Sequence, residues 1–166
     1  MPELTPLHAD HAPAVLAFEL ANRGYFAASA TGRSDAFFDG FADMYGARLA
    51  EQEAGICAFY LLVDEDGSVL GRFNLVDIED GEAEVGFRLA EHAAGRGVAT
   101  AAVRDLCRLA VTRHGLRTLR AGAAHGNAAS RRVLAKTGFV PVGPADPAHL
   151  GGQQGTWYRC DLASRP

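Results

Sequence analysis

The chain lacks any apolar run near the roughly 20 residues that would span a bilayer. Its start, M-P-E-L-T-P-L-H-A-D, has neither the basic opening nor the apolar centre of a secretory leader. A membrane role is therefore not expected, and the expected compartment is the cytoplasm. Cysteine is scarce: Cys57, Cys107 and Cys160 lie far apart and none has metal-ligand or redox-pair spacing. This excludes a disulfide framework and predicts small buried thiols in a reducing compartment. The six histidines are scattered, with no i, i+4 pair beside an acid, so no metal is expected. Basic residues are also few, 16 against 20 acidic, for a net charge of −4. Without a basic stripe or interleaved aromatics, a nucleic-acid partner is not expected. Internal repeats and low-complexity linkers are absent too.

What is present is an ordinary globular balance, 48% apolar and 22% charged over 166 residues, the size of a single domain spanning 1–166. A short strand is predicted at residues 4–7. Asp10 is placed to cap a helix that Arg23-Gly24 ends. After the connection Y-F-A-A-S-A-T-G-R, a second helix begins near Ser34 or Asp35, with Phe37, Phe38, Phe41, Met44, Tyr45 and Leu49 at helical spacing. The pattern then changes period. I-C-A-F-Y-L-L-V, V-L-G-R-F-N-L-V-D-I and A-E-V-G-F-R-L read as three antiparallel strands, with Asp66-Gly67 and Asp80-Gly81 as tight turns. A helix with Ala102, Val103, Leu106, Leu109 and Ala110 on its apolar face stops at Gly115. The strand L-R-T-L-R-A-G-A-A, a helix capped by Asn127 and ending at Gly138, and two last strands around a Gly/Pro-rich loop complete the order βααβββαβαββ. This is an α/β class chain with a mixed sheet.

One stretch does not fit helix propensity. A-G-R-G-V-A-T sets two glycines at the start of a helix, where glycine is otherwise unfavourable. A glycine turn leading into a helix N-terminus presents free N–H groups to an anion such as a phosphate. The lysine of a P-loop is missing. A dinucleotide fingerprint fails as well, since Thr100 takes its last position and Arg117, Thr118 and Arg120 stand where a ribose-binding acid belongs. A plain strand-to-helix turn is the alternative.

A-G-R-G-V-A resembles the acetyl-CoA loop of the GNAT acetyltransferases, Gln/Arg-x-x-Gly-x-Gly/Ala, with Gly97 and Ala99 at the last two positions and Ala94 departing from the first. H-G-N-A-A-S-R-R-V-L-A-K-T-G-F resembles that family's Asn-x-x-Ser segment. F-E-L-A-N-R-G-Y-F, G-R-F-N-L and A-E-V-G-F-R-L look like its Rim-type branch, the ribosomal-protein N-terminal acetyltransferases, from about Leu4 to Leu162. The resemblance implies a mostly antiparallel sheet splayed at the CoA site and acetyl-CoA as cosubstrate. Its pyrophosphate would lie on Gly95, Arg96, Gly97, Val98, Ala99 and Thr100. The pantetheine arm would run along the strand of Val85 and Phe87, with Asn127 and Ser130 opposite. As a plain helix cap, Asn127 needs no ligand.

Acetyl transfer needs a neutral amine, donors for the developing oxyanion and a proton for the departing thiolate. Glu84 alternates with Gly86 and Arg88 on one strand face and is the candidate base, the alternative being a solvated or ion-paired carboxylate. Where many relatives place a tyrosine acid this chain has Leu134, and Arg120 stands where some have a glutamate. Ser130 is then the candidate partner of the sulfur, unless it only serves the helix start. So sparse an apparatus suits an α-amine, whose neutral form costs about 1 kcal/mol at pH 7 against about 4.6 kcal/mol for lysine. Tyr25, Phe26 and Trp157 are candidate acceptor-lining residues, with core packing as the alternative. The expected partner is thus an amine, possibly a protein N-terminus, acting on a monomer or homodimer. The rival readings are a small-molecule amine acetyltransferase (aminoglycoside, polyamine or amino acid) and a non-catalytic acyl-CoA-binding module.

Overall fold

The apolar runs and alternating stretches of residues 56–89 build the scaffold. In the computed structural model, which describes residues 2–29 and 31–164, they form β2 (Ala58–Val63), β3 (Val69–Glu79) and β4 (Glu82–Leu89), paired antiparallel. Asp80 and Gly81 both take positive φ, 53° and 76°, a tight turn whose twist suits the flanking strands. β1 (Glu3–Pro6), β5 (Thr118–Ala124), β6 (Val140–Ala145) and β7 (Gly155–Asp161) extend the sheet to the order β1-β2-β3-β4-β5-β7-β6. Among the described residues only β4 and β5 run parallel.

That parallel pairing is short. It joins residues 82–84 to 118–120 and ends at Glu84 opposite Arg120. Beyond it β4 pairs only with β3, and residues 121–124 of β5 only with β7. The two strands therefore part, leaving a wedge with unpaired backbone edges. This is the splay that the motifs imply.

Each early helix expected from the sequence is two. α1 (Ala12–Ala21) and α2 (Arg23–Ala27) meet at Asn22, so Arg23-Gly24 continues the helical path rather than ending it. The buried Asn22 amide donates to the Phe18 carbonyl at 2.9 Å and accepts the Glu91 N–H at 3.0 Å. α3 (Asp35–Asp39) starts where expected, with Ser34 Oγ accepting the Phe37 N–H, but Gly40 separates it from α4 (Phe41–Glu53). Asp10 is likewise not the cap of α1; it sits in a 3-10 turn capped by His8. The order is thus βααααβββαβαββ, with α5 (Val98–Thr112) and α6 (Ala128–Lys136) as the later helices. Ala30, in the predicted polar connection, lies outside the described residues.

The two sheet faces differ. Ala83, Val85, Leu119, Ala121 and Ala123 pack with α5 and with Leu134 of α6. Leu106, Leu119 and Leu134 are fully buried, each worth roughly 1.5–3 kcal/mol. On the other face Val15, Phe18, Phe26, Phe41 and Tyr45 cover Phe59 and Leu61. This cover leaves Glu84, Arg120, Trp157 and Arg159 partly or fully exposed. β6 forms one rim, with Pro141 and Pro144 in it and a register shift between Pro141 and Gly143. Cys57, Cys107 and Cys160 are buried. Among the described residues no helix is long and apolar enough to cross a membrane, and no cluster of His, Cys, Asp and Glu is arranged to hold a metal.

Candidate active site

The wedge connects the two motifs read from the sequence. At its wide end, where β4 leads to α5, Gly95 and Gly97 take φ of 76° and 75°, a conformation that a side chain disfavours. No hydrogen bond among the described residues occupies the backbone N–H groups of residues 95–100. A Cβ on Gly95 or Gly97 would meet nothing within 4 Å, so the turn is open. These free donors at a helix start fit a diphosphate. Arg96 is exposed and gives one guanidinium N–H to the His92 carbonyl at 2.8 Å. Val85 and Phe87 stand on the β4 stretch whose wedge edge is unpaired.

Across the wedge Asn127 caps α6, its Oδ1 accepting the Ser130 N–H at 3.1 Å. The cap role holds, and it engages only the amide oxygen. Ser130 is half-buried, and its Oγ has no hydrogen bond among the described residues. Leu134 is fully buried, so nothing acidic replaces the tyrosine it displaces.

At the narrow end stands Glu84, the last β4 residue before the strands part. Its Oε2 lies 2.8 Å from His149 Nε2. His149 belongs to a 3-10 turn, Pro147–Leu150, inside the Gly/Pro-rich loop. Its ring leans on Trp157, with centroids 4.9 Å apart. Beside Glu84, a Cβ on Gly86 would meet nothing within 4 Å. Asn74 faces Gly86 across the β3–β4 ladder, and its Oδ1 is buried with no hydrogen-bond partner among the described residues. The acceptor is thus buried and idle, opposite the β4 residue two positions along from Glu84. A 470 Å³ depression continues along the sheet past Trp157, lined also by Glu82, Arg120, Val142 and Arg159.

Some expected lining residues separate. Phe26 is only 4% exposed and packs 5.7 Å from Phe18, because α2 turns it inward. Its reading as an acceptor contact is corrected to a core role. Tyr25 remains exposed on α2. Arg88, on the Glu84 face, is drawn away by Glu19 at 2.6 and 3.2 Å. Nothing in the sequence pattern fixes a role for His149, Asn74 or Arg159. For His149, Asp146-Pro147 before it and Gly151 after it were signals of an ordered turn.

Residues 3–140 match the family described as the acetyltransferase (GNAT) domain. The chain belongs to the GNAT family. Its GNAT fold resembles that of the ribosomal-protein-S5-alanine acetyltransferase from Vibrio fischeri, with a TM-score of 0.89 at 20% identity over 99% of this chain and 96% of that one. It also resembles the spermidine N-acetyltransferase from Vibrio cholerae in complex with CoA and spermine, with a TM-score of 0.77 at 16% identity over 98% and 96%. In sequence it is 35% identical to YdaF of Bacillus subtilis (strain 168), provisionally named a ribosomal N-acetyltransferase, over 90 residues. That match spans 52% of this chain and about half, 49%, of the relative.

Proposed function

We propose that this GNAT domain, taken as one unit over residues 1–166, is an acetyl-CoA-dependent N-acetyltransferase of the Rim type. Its acceptor is a protein or peptide N-terminal α-amine in the cytoplasm. The observation that carries the reading is the wedge: free N–H groups at one end, open strand edges along it, and a carboxylate where it closes. Acetyl-CoA, when bound, supplies the activated acetyl group. The N–H groups of residues 95–100 hold its diphosphate, with Arg96 adding charge. The main chain at Val85 and Phe87 pairs with its extended arm as an added strand would. Asn127 and Ser130 border the arm on the other side, and Ser130 Oγ is free to donate to the departing sulfur. Trp157 lines the approach of the amine to Glu84.

The depression beyond Trp157 favours a peptide over a polyamine. Arg120 and Arg159 outnumber Glu82 in its lining, so a polycation meets like charge there while a peptide with an acidic residue after its first position does not. The likeness to a spermidine enzyme supports the polyamine reading at the level of fold. The test measures acetyl transfer to peptides with free N-termini beside spermidine and an aminoglycoside. Turnover on peptides is expected; turnover on a small amine alone would replace the proposal. A melt with saturating acetyl-CoA separates binding from catalysis. At about 100 times its Kd the ligand adds about 2.7 kcal/mol, a rise on the order of 5–10 °C, and Gly97→Val should diminish it. A rise without transfer to any amine would identify a non-catalytic acyl-CoA-binding module.

A further inference from the structure

The turn that carries His149 is built to hold the imidazole in one place. Asp146 caps it, its Oδ1 accepting the Ala148 N–H at 3.0 Å. Pro147 fixes its first φ, and Gly151, at φ 63°, lets the chain leave it. Leu150 anchors it on the sheet through two glycines. A Cβ on Gly155 would sit 2.3 Å from Leu150 Cδ1 and from the Ala123 carbonyl oxygen, and one on Gly122 would sit 3.2 Å from Leu150 Cδ2. Leu150 thus rests against positions where β5 and β7 carry no side chain.

This places the ring over a particular point. His149 leans on Trp157 of β7, whose pairing partner on β5 is Gly122, and reaches Glu84 on β4. The imidazole thus bridges β4 and β5 where their pairing stops. Of the two partners, the carboxylate is the inner one, 19% exposed, and the imidazole the outer one at 44%. An ammonium arriving from solvent meets the ring first. With Nε2 donating to Glu84, Nδ1 keeps a lone pair, and no hydrogen bond among the described residues occupies it.

The geometry points to His149 as the group that takes the proton from the acceptor amine, with Glu84 acting through it as the positioning carboxylate. This rests on the acetyl-transfer reading and revises its base. The ammonium gives one proton to Nδ1, and the imidazolium is held by Glu84. The neutral nitrogen then attacks the thioester carbonyl carbon: the C–N bond forms and the C–S bond breaks. The second nitrogen proton goes to the sulfur, giving the thiol, and His149 releases the first to solvent. Ammonium and thioester become amide, thiol and one proton. The other charged groups near the pair are Glu82 of β4, Arg120 of β5, Arg159 of β7 and Asp146 of the turn itself; none hydrogen-bonds either ring nitrogen.

The experiment compares wild type, His149→Gln, Glu84→Gln and the double variant on a peptide acceptor across pH, with acetyl-CoA melts alongside. General-base loss of this kind costs about 10²–10⁴-fold, so at least a tenfold fall in kcat is expected for His149→Gln, with an unchanged acetyl-CoA melt shift. The acid limb of its kcat/KM profile should lose one ionisation. The double variant should fall no further than the worse single one, as for groups acting as a unit. In the free wild-type protein, ¹⁵N-resolved NMR should show the Nε2–H tautomer with Nδ1 bare. His149→Gln within threefold of wild type with the same pH profile, or an Nδ1–H tautomer, would overturn the assignment while leaving acetyl transfer intact. A wild type that binds acetyl-CoA but acetylates no amine would instead remove both.

Discussion

Two glutamates meet β4 on the same face of the sheet, Glu84 from within the strand and Glu19 four positions along at Arg88, and their surroundings differ. Glu19, on α1, has a fully buried carboxylate amid three guanidiniums: Arg88 at 2.6 Å, Arg33 at 3.6 Å and Arg72 at 3.8 Å. Burial pushes Arg88 down to about 10 and lowers Arg72 as well, and the Glu19 charge opposes both shifts. Arginine still keeps its proton near neutrality, so this centre exchanges nothing and only ties α1 to β3 and β4. Glu84 has one partner, an imidazole, in a half-open site, and an imidazole can pass a proton on. Partner identity and water access distinguish a clamp from a pair able to exchange a proton.

Removing each charge should expose that difference. Glu19→Gln leaves buried guanidiniums without a counter-charge, a change that costs about 3–5 kcal/mol, and should lower the melting temperature by about 10 °C. Loss of less than about 1 kcal/mol would mean that water already compensates the cluster. Glu84→Gln should invert the pattern, with turnover down at least about tenfold and stability changed by less than about 1 kcal/mol. Equal effects of the two changes on the melt would erase the distinction.

A histidine on the opposite face supplies the smallest and sharpest contrast. His114 Nε2 lies 2.8 Å from the Tyr60 hydroxyl, and burial, with Arg113 adding to it, lowers its pKa from the ordinary 6.5. Below 6.5 the unfolded chain binds more protons than the folded one. The stability that neutral His114 contributes is therefore present above that pH and is lost as the pH falls through the lowered folded value. Between pH 7.5 and 5 the melt should fall, and His114→Gln should reduce that fall by an amount on the order of 2 °C. Turnover per folded molecule should not follow His114. An activity profile that did would make it more than a structural group.

Local pattern made much of this legible. The apolar run of β2, the alternation along β4, the Asp80-Gly81 turn, Ser34 at its helix start and the two glycines before α5 all state their structure within a few residues. Asn22 does not, because one of the bonds that breaks the helix there reaches Glu91, 69 positions away. Between lining and core, Phe26 is decided only by the fold: once α2 continues through Gly24, the ring points inward. At the candidate site, Glu84 is legible as a strand carboxylate, yet its partner lies 65 positions on. Asp146, Pro147 and Gly151 mark an ordered turn but not the strand it docks on. That contact is set by Gly122 and Gly155, two positions whose meaning is the absence of a side chain.

The rims of the sheet have a consequence for the chain in a crowded solution. β6 exposes Val140 and Val142 at 57% and 58%, an apolar stripe of the kind that recruits a neighbouring strand. Pro141 and Pro144 withhold two of its N–H groups, and the register shift beside Pro141 bends the line that a new strand would follow. The far rim, β1, is four residues long and also ends in proline. A molecule whose sheet opens in the middle thus discourages added strands at both ends.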